Sequence, residues 1–274
     1  GFVDALKERG YGPDKVEIEQ ENAQGDQSNL KTIVSRFKAE KPKLICAIAT
    51  PAAQAAANEI KDIPIVGTAI TDYTSAKLVQ NDERPGGNVT GVSDFAAMDA
   101  QMELAAKLIP QAKHVGLIYC SSEVNSEVQA NQMKDYGKKH DLAVEERTVN
   151  NVNDIQQVAE SLIGKVDYIY VPTDNTLASS IPTLMKITDA NKIPVIVGAD
   201  IMAKDGALAA LSVDYYRLGK QTGELAADIL DGKVKPETSP IQHQKDYTIV
   251  INKQDAEILG LTIPEEIVKK ANMV

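Results

Sequence analysis

The sequence predicts an α/β protein built as two blocks, each a parallel sheet with helices on both faces. Three observations predict it. Short apolar runs recur along the chain, each followed by a short polar loop and then by helical periodicity. The sharpest case is Leu44-Ile45-Cys46-Ala47-Ile48-Ala49, which reads as a strand buried on both faces and runs straight into Thr50-Pro51-Ala52-Ala53-Gln54. The turn-rich run Asn81–Asn88, with Pro85-Gly86-Gly87, interrupts the alternation, which restarts after Ser93.

Taken in order, Gly1–Gly10 is an amphipathic helix stopped by glycine. Helices in such chains follow strands, so a first strand, and any targeting sequence before it, are expected ahead of Gly1. Val16–Gln20 alternates as a strand and enters the polar loop Glu21–Asp26. Ser28 is placed as the cap of a helix over Asn29–Ala39, with Leu30, Ile33, Val34 and Phe37 on one face. Thr50 is placed as N-cap and Pro51 as the first residue of an Ala-rich helix to Ile60. Ile63–Thr68 is the next strand, leading into Thr71-Asp72. In the second block, strands are expected over His114–Cys120, Ala143–Thr148, Val166–Val171, Pro194–Val197, Leu208–Val213 and Tyr247–Ile251. Helices are expected over Met98–Leu108, up to His140, over Ile155–Ile163, up to Asn191, over Asp214–Leu230, and in short pieces at Ala256–Leu259 and Glu265–Ala271.

The 274 residues suffice for two lobes of ordinary size. Lys and Arg total 29 against 39 Asp and Glu, a net charge of −10 with no basic run, so no nucleic-acid partner is expected. No apolar run spans a bilayer. Cys46 and Cys120 end different apolar runs and read as two buried free thiols. The three histidines stand apart, and no Cys/His cluster has metal-ligand spacing. There is no Gly-x-Ser-x-Gly elbow, phosphate loop or dinucleotide fingerprint. No catalytic residue, metal or cofactor is therefore expected.

In parallel sheets, ligands bind at the carboxyl ends of the strands. The loops there are Glu21–Asp26, Thr50–Ala52, Thr71–Asp72, Ser121–Ser126, Thr173–Asn175, Gly198–Asp200 and Asp214–Tyr216, and none holds Lys or Arg. Such loops suit a polyanion poorly. They suit a zwitterion: the helix starts at Thr50, Ala52 and Ser126 can hold a carboxylate through backbone N–H groups. Glu123 and Asp174 can pair with an ammonium, while Pro51, Thr71, Asp72, Ser121, Asn125, Thr173, Asn175, Asp200 and Tyr215 line the remainder. Each has a plainer explanation. Thr50, Asn125, Ser126, Asp174 and Asn175 are all capping residue types, and Tyr215 or Tyr216 can pack at a helix start instead of stacking on a ligand ring. The recurrence of polar loops at equivalent edges outweighs any single member.

Seven stretches carry a family resemblance: Gly1-Phe2-Val3-Asp4-Ala5-Leu6, Ala49-Thr50-Pro51-Ala52-Ala53-Gln54, Gly87–Ser93, Ser122-Glu123-Val124-Asn125-Ser126, Val171-Pro172-Thr173-Asp174-Asn175, Val213–Gly219 and Leu259–Pro264. In this order the chain resembles the substrate-binding components of ABC transporters, in the family that includes tryptophan- and tyrosine-type uptake proteins. The resemblance implies the type I periplasmic-binding-protein fold: two Rossmann-like lobes, 1–93 plus 214–244 and 94–213 plus 245–274, joined by a three-segment hinge and closing on an amino acid, aromatic by preference. It implies export as a periplasmic protein or a surface lipoprotein. The implied partners are the small-molecule ligand and an ABC permease with its ATPase, with the binding protein itself a monomer. At position 73 the family often has Pro, and Tyr73 is expected to add an aromatic surface to the pocket. The alternatives are a ligand-sensing domain of a receptor or transcriptional regulator and, behind it, a doubly wound α/β enzyme.

Overall fold

Each apolar run pairs with neighbours from its own block. The computed structural model describes residues 1–274, and the chain divides into two units, Gly1–Phe95 with Asp214–Lys245, and Ala96–Val213 with Asp246–Val274.

The first unit holds a parallel sheet in the order β1 (Ile45–Ile48), β2 (Ile65–Ile70), β3 (Val89–Ser93) and β9 (Gln242–His243). Strand β1 is an edge strand. Ile45 and Ala47 are buried, but Ile48 is 62% exposed, so the strand is covered on one face and not on both. Val16–Gln20 joins neither sheet and is mostly exposed. Alternation alone makes no strand without a hydrogen-bonding neighbour. Helix α2 (Gln27–Glu40) is capped by Asp26, which accepts from Ser28 N and Asn29 N, rather than by Ser28. Helix α1 (Phe2–Glu8) packs on α10 (Tyr215–Leu230), where a Cβ at Gly223 would lie 2.5 Å from the Phe2 carbonyl oxygen. Two glycines, Gly219 and Gly223, therefore permit this close helix contact.

The second unit holds a seven-stranded sheet in the order β11 (Ala271–Met273), β10 (Thr248–Ile251), β8 (Ala209–Ser212), β7 (Val195–Val197), β6 (Tyr168–Val171), β4 (His114–Cys120), β5 (Ala143–Val149). All neighbours are parallel except β10 and β8. Its core joins Met102, Leu117, Met133, Tyr170 and Ile196. Helices α4 (Met98–Leu108), α5 (Val124–Lys139) and α6 (Ile155–Glu160) follow the apolar periodicity. The helix expected up to Asn191 is two, α7 (Asn175–Ala178) and α8 (Ile181–Ala190), with Pro182 opening the second. The short α9 (Asp200–Lys204), β9 and β11 were not foreseen, because two to five residues carry no measurable period. Helices α11 (Lys253–Leu259) and α12 (Glu265–Val268) finish the unit. Both cysteines are free thiols; Cys120 is buried as expected, but Cys46 is only half-buried, and desolvation pushes its thiol up to about 12. No helix is long and apolar enough to cross a membrane.

One carboxyl pair in this unit makes stability fall with rising pH. Asp255 on α11 is 3% exposed beside Asp189 of α8, and neither of its oxygens has a hydrogen-bond partner. Burial, then the charge of Asp189, pushes Asp255 up to about 7 from an ordinary 3.8, with Lys192 opposing. Between those values the folded chain holds a proton that the unfolded chain has released. The contribution is therefore favourable below the lower value and is lost as pH rises through the upper one. Asp255→Asn is expected to raise unfolding free energy by on the order of 2 kcal/mol at pH 8 and to change little at pH 4. Urea midpoints at the two pH values check it, and an equal effect at both would exclude the mechanism.

Candidate ligand-binding site

In the first unit the strand-to-helix passage is strained. Ala49, between β1 and helix α3 (Thr50–Glu59), has φ +75° and ψ 153°, a region ordinary residues avoid. Ala49, not Thr50, is the N-cap, and Pro51 sits inside the first turn. Thr50 is 2% exposed and caps nothing with its side chain, so the capping explanation fails for it. The first helical bond runs from Ala53 N to Ala49 O at 3.1 Å, so the Thr50 and Ala52 N–H groups lie ahead of it at the positive end of the dipole.

Strand β2 breaks register between Gly67 and Ile70, where Ala69 has φ +54°. The break delivers Thr71, 3% exposed, whose carbonyl accepts the Ser93 hydroxyl at 2.9 Å. Asp72 caps the following turn, accepting from Ser75 N at 2.8 Å. Tyr73 does not line a pocket. It is 1% exposed in the core and donates its hydroxyl to Val92 O at 3.1 Å. Glycine on both neighbouring strands leaves room for its ring, so the expected aromatic surface is absent there. Tyr215 opens α10 and donates its hydroxyl to Asp94 Oδ2 at 3.0 Å.

Asp94 escaped the sequence reading. It is 4% exposed, and burial pushes its carboxyl up, tempered by the Tyr215 hydroxyl and by nearby Thr71. Thr71 eases the charge, while Oδ1 is buried without a hydrogen-bond partner. The available signal was a carboxylate placed directly after the buried run Val89–Ser93.

In the second unit, Glu123, Asn125, Ser126, Thr173, Asp174 and Asn175 form one network. Glu123, 5% exposed, is the N-cap residue of α5, yet its carboxylate reaches the start of α7. Its two oxygens accept from Asn175 N (3.0 Å), Asn175 Nδ2 (2.6 Å), Thr176 N (2.8 Å), Thr176 Oγ1 (2.8 Å) and Asn125 Nδ2 (3.2 Å). Asp174 accepts from Leu177 N at 2.8 Å and Cys120 N at 2.7 Å, so it does cap α7, and Ser126 eases its charge. Burial, then the charge of Glu123, pushes Asp174 up to about 6.

Asn125 is held by its amide nitrogen, which donates to Thr173 O at 2.8 Å, while Gln129 Oε1 accepts from Thr173 N at 2.6 Å. Gln129, one helical turn beyond Asn125, was also missed; the four-residue spacing was its only sequence signal. Asn125 Oδ1 and Gln129 Nε2 are buried without partners. Two residues stand outside this network. Ser121 is exposed and bonds Asn150 Oδ1 at 3.1 Å, and Asp200 is paired with Lys204. The Thr173 hydroxyl reaches Gly198 O at 3.5 Å.

The arrangement qualifies the ammonium assignment. A carboxylate offers about four lone-pair directions, and internal donors fill those of Glu123. Asp174 retains spare accepting capacity.

Two α/β units with predominantly parallel sheets, and with buried hydroxyls, amides and carboxylates at their helix starts, have the build of a small-molecule-binding protein by class. The chain belongs to the ABC transporter substrate binding protein family, whose profile matches residues 1–274. Members of this family act outside the cytoplasm as solute carriers. The chain is 42% identical to a tyrosine-binding protein of Clostridioides difficile, over 95% of this chain and 76% of that protein. It matches the structure of an ABC domain in complex with L-Trp from Streptococcus pneumonia with a TM-score of 0.95 and 41% identity, covering 100% of this chain and 92% of the other. It matches the ligand-free, open structure of a substrate binding protein with adhesive properties from Clostridium difficile at a TM-score of 0.76 and 41% identity, again over 100% and 92% of the two chains.

Proposed function

We propose that this chain binds an aromatic amino acid, without catalysis, and delivers it to an ABC permease and its ATPase. The protein works as a monomer, periplasmic or lipid-anchored at the cell surface. Thr50, Ala52 and Ser126 serve the carboxylate of the ligand. Asp174 and Asn125 Oδ1 accept from its ammonium, with Glu123 holding the start of α7 in place. Thr71, Asp72 and Tyr215 line the rest. The observation that carries this reading is Thr50: a buried hydroxyl at a helix start that caps nothing, with two N–H groups ahead of the first helical bond. The tyrosine and tryptophan named for the relatives support an aromatic ligand.

A thermal-unfolding screen of the amino acids tests it. Ligand at about 100 times its dissociation constant is expected to stabilise the chain by ~2.7 kcal/mol. L-Tryptophan, L-tyrosine or L-phenylalanine should give the largest shifts. The chain contains no Trp, so the fluorescence of bound tryptophan reports binding directly. No shift with any aromatic amino acid would defeat the reading.

A further inference from the structure

We propose that Asp94 receives the ligand's ammonium group in the first unit, as a buried carboxylate with one oxygen committed to Tyr215 and the other to nothing. The inference rests on the amino-acid reading above and adds to it a charged specificity residue.

Asp94 is 4% exposed, and no Lys, Arg or His side chain is among the groups acting on it. A buried carboxylate is ordinarily paired or fully hydrogen-bonded. Every oxygen of the other buried carboxylates near the candidate loops already has at least one donor: five donors meet Glu123, and one N–H meets each oxygen of Asp174, which keeps capacity for more. Of the three buried carboxylates Asp94, Glu123 and Asp174, only Asp94 has an oxygen buried with no donor. A neutral donor would satisfy the oxygen but leave the charge uncompensated. An ammonium does both. The residues around it belong to the candidate site: Thr71 lies beside the carboxylate, and the Tyr215 hydroxyl fixes Oδ2. Oδ1 is covered in this conformation, so the ligand reaches it in a conformation that opens this corner of the unit.

Asp94→Asn keeps the shape and removes the charge. Two probes separate roles: L-tryptophan, and 3-(indol-3-yl)propanoate, which lacks only the amino group. Calorimetry should show the variant binding L-tryptophan more weakly by on the order of 10–100-fold, with affinity for the deaminated analogue unchanged. The ligand-free variant should melt at or above the wild-type temperature, because an uncompensated buried charge is gone. Equal weakening for both probes, unchanged L-tryptophan affinity, or a variant that fails to fold would each overturn the inference. The last would show that the charge serves the fold. Failure of the wild-type chain to bind L-tryptophan, L-tyrosine or L-phenylalanine would instead defeat the amino-acid reading itself.

Discussion

Gly91→Ala is expected to cost at least about 3 kcal/mol of unfolding free energy, among the largest effects of any single methyl added to this chain. Gly91 of β3 lies opposite Gly67 of β2. A Cβ at Gly91 would sit 2.2 Å from Gly67 O, 2.3 Å from the Tyr73 hydroxyl and 2.7 Å from Gly67 N. Two of these are backbone atoms in a paired parallel ladder and have nowhere to go. The side chain of Tyr73 lies against both glycines, since a Cβ at Gly67 would meet its hydroxyl at 2.6 Å. The added methyl thus attacks the sheet and the buried tyrosine together. Urea unfolding measures the cost. Tyr73→Phe in the same background removes the hydroxyl clash but not the backbone one, so it should recover less than half of the loss. A Gly91→Ala protein within about 1 kcal/mol of wild type would mean that the two strands separate more easily than a packed sheet permits.

Glu123→Ala is expected to lower stability by about 2–3 kcal/mol and to weaken amino-acid binding as well. Removing the carboxylate strands two backbone N–H groups, of Asn175 and Thr176, together with the Asn175, Thr176 and Asn125 side chains. Loss of its charge also relieves Asp174, whose carboxyl should move back down from about 6, and this offsets part of the cost. Glu123→Gln should not rescue the protein. Its amide presents an N–H₂ group where donors already converge, and it keeps only one accepting oxygen. Chemical denaturation and calorimetry with L-tryptophan read the two effects. A stable Glu123→Ala protein would show that the start of α7 is held by Asp174 alone.

The local signals in this chain were strong where a period and a stop signal coincide. Met98–Leu108 and His114–Cys120 are seen as the sequence predicts them, because apolar spacing and a following Pro or polar run bound each one. The passage from β1 to α3 was legible for the same reason, although the cap moved from Thr50 to Ala49. Capping depends on a backbone angle, and residue type only biases that angle. The polar loops that hold Glu123, Asn125, Ser126, Asp174 and Asn175 were legible as a group. Their individual partners were not, since Glu123 meets Asn175 and Thr176 about fifty residues away.

Composition and periodicity by themselves determined the α/β class, the alternation of strands with helices and the lack of cationic groups in the candidate loops, and the quoted motif stretches carried the family resemblance. Those properties live in residue type and in spacing of a few residues. Only the tertiary structure decided what pairs with what. Val16–Gln20 alternates correctly but lacks a neighbouring strand, so it is not one. Tyr73 looked like a pocket wall, but glycines on β2 and β3 opened a core position for it. Asp94 stood out in no pattern of the sequence, but the fold buries it with one oxygen unanswered. The physical reason is common to all three. Burial and hydrogen-bond satisfaction are properties of the space around a residue, and that space is assembled from parts of the chain far apart in sequence.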